Sequence, residues 1–368
     1  VVVVSLIQRL HVSPVIGYLA AGLLIGPSGL GAVSDPDGVG ELAEFGVVFL
    51  LFTVGLELSL QRLWVMRRFV FGFGSAQVIV CGAAIGAVAW WCGMPVPAAI
   101  VIGGGLALSS TAVTLQLLVE RGETASRFGR VTIAVLLLQD LAVVPLLVLV
   151  PLLGGDGASL ATALGFAALK AVAALAVIVG LGRLVLRPLL RAAAAGRDTD
   201  LFAAVTLLIA LGTAMVGLSL PLGAFLAGLL IAETEFRHQV EADIRSFKGL
   251  LLGLFFMTVG MSLDLQLLAA EWQTIGAMFV ALLLGKTLLV ALLGRLFGLN
   301  WSTALRSGLV LAEGGEFAFV LFSAALVAGV LTGFQSQLLL AVVVLTLATT
   351  PLLAAIGGRL GAHLGRIP

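Results

Sequence analysis

Long apolar runs, separated by short breaks rich in charge, glycine and proline, constrain this 368-residue chain more than any other feature. A helix that crosses a bilayer needs about 20 mostly apolar residues. Thirteen runs approach that length: 1–10 (incomplete), 13–31, 40–60, 70–92, 96–119, 129–153, 159–187, 199–219, 221–235, 246–263, 271–297, 302–329 and 334–361. Only 11% of the residues are charged, where a soluble domain carries about a quarter. The surface therefore needs lipid as its solvent, and the fold class is an all-α polytopic membrane protein. The sequence opens VVVVSL without Met and without a signal-peptide pattern, so it reads as a fragment beginning inside a helix.

The cations test this division. If the break after the first run lies on side A, then Arg9, Arg62, Arg67, Arg68, Arg121, Arg127, Arg130, Arg183, Arg187, Arg191, Arg197, Arg237, Arg245, Lys248, Arg295, Arg306, Arg359 and Arg366 all fall on A. The other two, Lys170 and Lys286, fall inside runs, and the B breaks carry acids such as Asp35, Asp37, Asp156 and Asp264. A wrong count would scramble this separation. The positive-inside rule makes A cytoplasmic, with the N-terminus outside and the C-terminus inside.

Three patches recur at a nearly constant offset. Residues 21–25 (AGLLI) match 227–231, Thr53-Val54-Gly55 matches Thr258-Val259-Gly260, and Leu106-Ala107 matches Leu311-Ala312. The offset is 205 or 206 residues, or seven runs. An odd shift reverses direction across the membrane, which points to an inverted-topology repeat, a common plan for secondary transporters. Two repeat-matched runs also carry helix-weakening glycines: Gly103-Gly104-Gly105 before Ser109-Ser110-Thr111, and Gly314-Gly315 between Glu313 and Glu316. They predict two discontinuous crossing helices whose freed backbone groups meet near the midplane. Close helix packing is the competing use of the same glycines.

Ionisable residues inside these runs are the candidates for function. Asp140 lies at the centre of its run, beyond snorkelling reach of either end, at a cost of about 3 kcal/mol on insertion scales. A carboxylate out of water holds a proton, and an arriving cation displaces it, so such a group suits proton–cation exchange. Gln139 beside it offers a neutral carbonyl oxygen, and Pro145 predicts a kink. Lys286, central in a later run, is the expected charge partner of Asp140. Glu316 is expected to satisfy backbone amides freed by the second break, with Glu313 on the same face. Glu57 is placed at a cytoplasmic funnel, and Lys170 is a weaker candidate. His11, His238 and His363 read as solvated loop residues. Cys81 and Cys92 lie about 16 Å apart along one helix, too far for a disulfide.

The runs GYLAAGLLIGPSGLG, GVVFLLFTVGLEL, ALSSTAV, LLLQDLAVVPLL, FFMTVGMSLDL and GGEFAFVLF resemble the monovalent cation:proton antiporters, specifically their Kef-type potassium/proton branch. The resemblance covers nearly the whole chain. Gln139-Asp140 is its most specific element, standing where sodium exchangers have Asp-Asp or Asn-Asp. It implies a sodium/proton-antiporter-like fold in a homodimer. Residues 1–63 and 199–264 would be scaffold and dimer helices, 67–153 and 271–361 a core moving as an elevator, and 159–191 the linker. It also implies that Asp140 binds the transported cation or the proton, with Gln139, Ser109, Ser110 and Thr111 around it. Lys286 would be the lysine of the opposite core helix, and Gly314, Gly315 and Glu316 would support the second crossing helix. Kef-type proteins carry a cytoplasmic nucleotide-binding regulatory domain after the last span, whereas this chain stops at Pro368; Glu313 departs from the Gln expected in the potassium branch. The implied location is a bacterial inner membrane.

The expected function is antiport of a monovalent cation, K⁺ first, against H⁺, with no enzymatic step, no resident cofactor and no nucleic-acid partner. A gated K⁺ efflux channel and a Na⁺/H⁺ antiporter remain open, with an organic-anion carrier and a membrane sensor behind them. The chain has no GxxxxGK[ST] motif for an ATP-driven pump, no HExxH or Cys/His cluster for a metal site, and no TVGYG-like filter.

Overall fold

The structure is a computed structural model and describes residues 14–33, 37–58, 60–154, 165, 220–232, 234 and 237–364. These form helices in the order α1 (Pro14–Ile25), α2 (Asp37–Glu57), α3 (Leu60–Val65), a π-helical turn (Arg68–Gly74) running into α4 (Ser75–Trp91), α5 (Val96–Ala107), α6 (Thr111–Glu120), α7 (Arg127–Leu153), α8 (Leu220–Ala232), α9 (Arg237–Met261), α10 (Leu265–Ala270), α11 (Trp272–Leu296), α12 (Trp301–Val310), α13 (Phe317–Val327) and α14 (Gly333–Leu364). No strand occurs among the described residues. Among the described residues, five segments are long and apolar enough to cross a membrane: Arg68–Trp91, Val96–Glu120, Arg127–Leu153, Trp272–Leu296 and Gly333–Gly361. The described helices follow the apolar runs closely. Runs 1–10 and 199–219, run 159–187 apart from residue 165, and with them Lys170 and His11, lie outside the described residues.

Polar side chains set several helix starts. Ser126 Oγ accepts from the Gly129 amide (2.9 Å) at the head of α7, and Asn300 Oδ1 accepts from Thr303 N (2.9 Å) at the head of α12. The kink expected at Pro145 is not a break, because α7 continues through Pro145 and Pro151. Cys81 is buried, Cys92 is exposed, and both are free thiols.

Helices α1, α2, α8 and α9 pack on one another, while α4–α7 and α11–α14 pack around the two broken segments. Glycine sets the closeness of the first group. A Cβ at Gly22 (α1) would lie 2.0 Å from the Met257 carbonyl oxygen (α9), and one at Gly228 (α8) 1.9 Å from that of Phe52 (α2). Likewise Gly55 faces Phe225 O (2.1 Å) and Gly260 faces Leu19 O (2.2 Å). Every partner here sits 205 or 206 residues from its counterpart. The same exchange holds in the second group: Gly103 (α5) lies on Gly82 O and Gly86 N, and Gly308 (α12) lies on Thr287 O and Ala291 N.

The triple glycine is therefore a packing device. The sequence read an interruption in the segment from Gly103-Gly104-Gly105 to Ser109-Ser110-Thr111, and α5 runs intact through the glycines to Ala107. Gly104 makes room for Leu146 and Gly105 for the Phe322 ring, so close contacts offset their weak helix propensity.

Candidate functional site

The first break is Leu108-Ser109-Ser110, where the chain turns extended after α5 and restarts as α6. Ser110 Oγ caps α6 by accepting from Val113 N (3.2 Å). The second break, Leu311–Glu316, separates α12 from α13. The breaks cross in direct contact: Gly315 N donates to Leu108 O (3.1 Å), and a Cβ on Gly315 would meet the Ser109 carbonyl at 2.7 Å.

Backbone groups freed inside a membrane need partners, and each break draws on the other. In the first, Ser109 N donates to Gln139 Oε1 (2.8 Å), Ser110 N donates to Glu313 Oε1 (3.2 Å), and Ala107 O accepts from Gln77 Nε2 (3.0 Å). In the second, Gly314 N donates to Thr346 Oγ1 (3.0 Å) and Leu311 O accepts from Ser109 Oγ (2.9 Å). Lys286 of α11 bridges them. Its ammonium donates to Leu108 O (2.8 Å), Glu313 O (2.6 Å) and Ser109 Oγ (3.2 Å), while 1% exposed. Leu108 and Glu313 are 205 residues apart, so the ammonium sits between equivalent carbonyls freed by the breaks, one at the C-cap of α5 and one two residues beyond that of α12.

Asp140 lies in α7 against this crossing, 6% exposed. Thr111, the first residue of α6, donates its hydroxyl to Asp140 Oδ1 (2.9 Å). Asp140 and Thr111 thus come together as the sequence placed them, at the N-terminus of a half-helix.

Other expected roles fall differently. The sequence paired Lys286 with Asp140, but its hydrogen bonds go to two carbonyls and Ser109, and none goes to Asp140. An ammonium has three hydrogens, and the crossing supplies three acceptors. Gln139 was to offer a carbonyl oxygen beside Asp140, yet that oxygen takes the Ser109 amide and its Nε2 donates to Gln77 Oε1 (2.8 Å). Ser109 and Ser110 are likewise committed to the break. Glu316, expected to satisfy amides freed by the second break, stands buried at the head of α13, while Glu313 accepts from the freed Ser110 amide of the first break. Gly314 and Gly315 form the second break as expected, with Gly314 against Val343. Glu57 is exposed at the end of α2, where its carbonyl accepts from Arg237 (3.3 Å), away from the crossing's hydrogen bonds. His238, also exposed, lies 3.7 Å from Glu241.

Gln77 and Glu313 carry more of the site than their sequence reading allowed. Gln77 is fully buried in an otherwise apolar helix, and that isolation was the available signal. Glu313, also fully buried, accepts from Ser110 N, from Thr114 Oγ1 (3.2 Å) and from Thr350 Oγ1.

Two broken helices crossing beside a buried aspartate, in a bundle of bilayer-length apolar helices, define a polytopic membrane protein with a polar centre. The chain belongs to the sodium/hydrogen exchanger family, whose transmembrane domain matches residues 1–355. It is similar to K(+) efflux antiporter 2, chloroplastic, of Arabidopsis thaliana (55% identical over 98% of this chain). K(+) efflux antiporter 1, chloroplastic, of the same plant is 54% identical over the same share. The chain spans about a third of the length of these relatives, 32% and 31%. Its fold is similar to the solved structure of the sodium proton antiporter MjNhaP1 from Methanocaldococcus jannaschii at pH 8, with TM-score 0.73 and 16% identity over 99% of this chain and 95% of that one. The names of the plant relatives place them in chloroplasts, where the sequence reading had expected a bacterial inner membrane.

Proposed function

We propose that the protein exchanges a monovalent cation, potassium first, for a proton across a membrane. The observation that carries this reading is Asp140: a carboxylate 6% exposed in a bilayer-length helix, held by Thr111 where two broken helices cross. The family and the K(+) efflux antiporters among its relatives support antiport and the choice of potassium. Asp140 takes cation or proton in turn, with Thr111 beside it. Gln139 and Ser109 shape the site without lending it charge. One exchanging carboxylate carries one proton per cation, so the exchange is electroneutral.

The reciprocal glycine contacts support an inverted-topology repeat. The separate packing of α1, α2, α8 and α9 supports a scaffold against which the crossing core shifts as an elevator, with the scaffold also forming a homodimer. Longer relatives leave room for a regulatory domain beyond this chain. The Arg-rich face is the one turned to the negative side of the membrane, a chloroplast membrane being the home that the relatives' names suggest.

The test is a pH-sensitive dye inside proteoliposomes during addition of K⁺, Na⁺ or Li⁺. Wild-type protein moves protons in response to K⁺, and Asp140→Asn moves none. Absence of cation-evoked proton movement in wild type overturns antiport, and a Na⁺ response without a K⁺ response overturns the choice of cation.

A further inference from the structure

Glu313 is a second fully buried carboxylate, and the exchange described above makes no use of its acid. Its hydrogen bonds are arranged to serve two protonation states. Thr350 Oγ1 has one hydrogen and two acceptors in reach: Glu313 Oε2 and the Thr346 carbonyl, the latter at 2.9 Å. With Glu313 ionised, that hydrogen goes to the carboxylate. With Glu313 protonated, the carboxyl donates to Thr350 Oγ1 and the Thr350 hydrogen turns to Thr346 O. Both states keep the buried oxygens paired, while Oε1 continues to accept from Ser110 N and Thr114 Oγ1.

A small, mostly apolar cavity beside α6 is lined by Thr114, Leu117, Arg121, Glu123 and Arg306, and the Thr114 hydroxyl is bonded to Glu313. Thr114 and Arg121 are seven residues apart, about 10 Å of helix.

We propose that Glu313 is a second proton-binding site, held at the crossing by Ser110, Thr114 and Thr350. The proton comes from solvent and returns to it. On binding, the carboxyl trades the hydrogen bond it accepts from Thr350 for one that it donates. Its charged neighbours are few: Lys286 of α11 on its own carbonyl, Glu316 on its own segment, Cys81 of α4 beyond Lys286, and Asp140 of α7 beyond Thr111. Among the described residues, α6 presents Thr114 and α14 presents Thr350 to its carboxyl, and Arg121, Glu123 and Arg306 line the small cavity next to Thr114. Protonation thus changes the charge beside Lys286 and the hold on Ser110, next to the Thr111 that touches Asp140. The site rests on the antiport reading only for its part in transport, not for its existence.

The experiment is infrared titration of the protonated-carboxyl band in purified full-length Asp140→Asn protein, which cannot run the exchange. A band that grows as pH falls, is removed by Glu313→Gln and shifts in frequency in Thr350→Val supports the site. No titrating band, or one that Glu316→Gln removes and Glu313→Gln leaves, overturns it. In proteoliposomes of otherwise wild-type protein, Glu313→Gln reshapes the dependence of K⁺-evoked proton flux on pH. A profile that superimposes on wild type overturns the coupling to transport. Failure of wild-type flux strikes the antiport reading alone, because the infrared result comes from protein that does not transport.

Discussion

Gly103 in α5 and Gly308 in α12 meet their neighbours in the same way, one on Gly82 and Gly86, the other on Thr287 and Ala291, each 205 residues further along. The glycine contacts of α1 with α9 and of α8 with α2 correspond as closely. The ionisable groups at the crossing do not. The positions 205 residues from Asp140, Lys286 and Glu313 hold Leu345, Cys81 and Leu108. Packing is thus repeated and charge is placed once. Backbone contact distances tolerate little change, so both sets of contacts keep them. A buried charge is costly, so a second set would add desolvation without adding a site.

Lys286 gives the largest expected break in this comparison. Lys286→Met removes three charge-assisted hydrogen bonds at the crossing, each contributing about 1.5–3 kcal/mol. Its counterpart Cys81, a buried thiol packed among apolar groups, loses about 1 kcal/mol or less on change to Ala. Thermal unfolding in detergent compares the two. Equal effects would mean that the ammonium does not hold the breaks together.

The glycines sharpen the symmetric side of the comparison. Gly22→Ala and Gly228→Ala each drive a Cβ into a backbone oxygen that cannot move alone, at 2.0 and 1.9 Å. Each substitution costs about 1–3 kcal/mol, and the two effects match. Gly276→Ala and Gly285→Ala, facing open space on α11, serve as neutral controls. A clear inequality within the pair, measured as unfolding midpoint, would break the correspondence.

The helices were legible because length and apolarity decide them: the run 129–153 became Arg127–Leu153, and 271–297 became Trp272–Leu296. The centre was less so. Glycine propensity pointed to residues 103–105, a penalty of about 1 kcal/mol each that close packing outweighs. The better local sign was Ser110 ahead of an apolar run, an N-cap signal in its own right. Choosing between Glu313 and Glu316 required the partner segment, since only the crossing shows which faces Ser110 N. The pairing of Lys286 with Asp140 rested on opposite charge alone and overlooked the carbonyls freed by the two breaks.

Gln77 tests whether the first break depends on neutral groups as the second depends on Lys286. Its amide donates to Ala107 O and accepts from Gln139 Nε2, and its counterpart position is the apolar Leu282. Gln77→Leu leaves Ala107 O with only a long contact from Gln139 (3.4 Å) and costs about 1–2 kcal/mol. Because Gln139 then loses its anchor, K⁺-evoked proton flux falls more than in Gln77→Glu, which keeps the acceptor. Equal flux in the two variants would separate Gln77 from the site.

The smallest effect belongs to the one link that joins the loop after α6 directly to α12 by charge. Arg306 donates from Nη2 to both carboxylate oxygens of Glu123 at 2.6 Å and lies over the Phe128 ring, 4.3 Å from its centroid. Both side chains are partly exposed, 20% and 28%, so water screens the pair and its contribution is about 0.2–1 kcal/mol. Glu123→Gln keeps one acceptor and the packing on Phe128, and shifts the unfolding midpoint little. High salt shrinks even that difference, since the charge is near the surface. An effect as large as that of Lys286→Met, undiminished by salt, would place this pair among the buried groups of the crossing, and the contrast between a charged centre and a screened edge would fail.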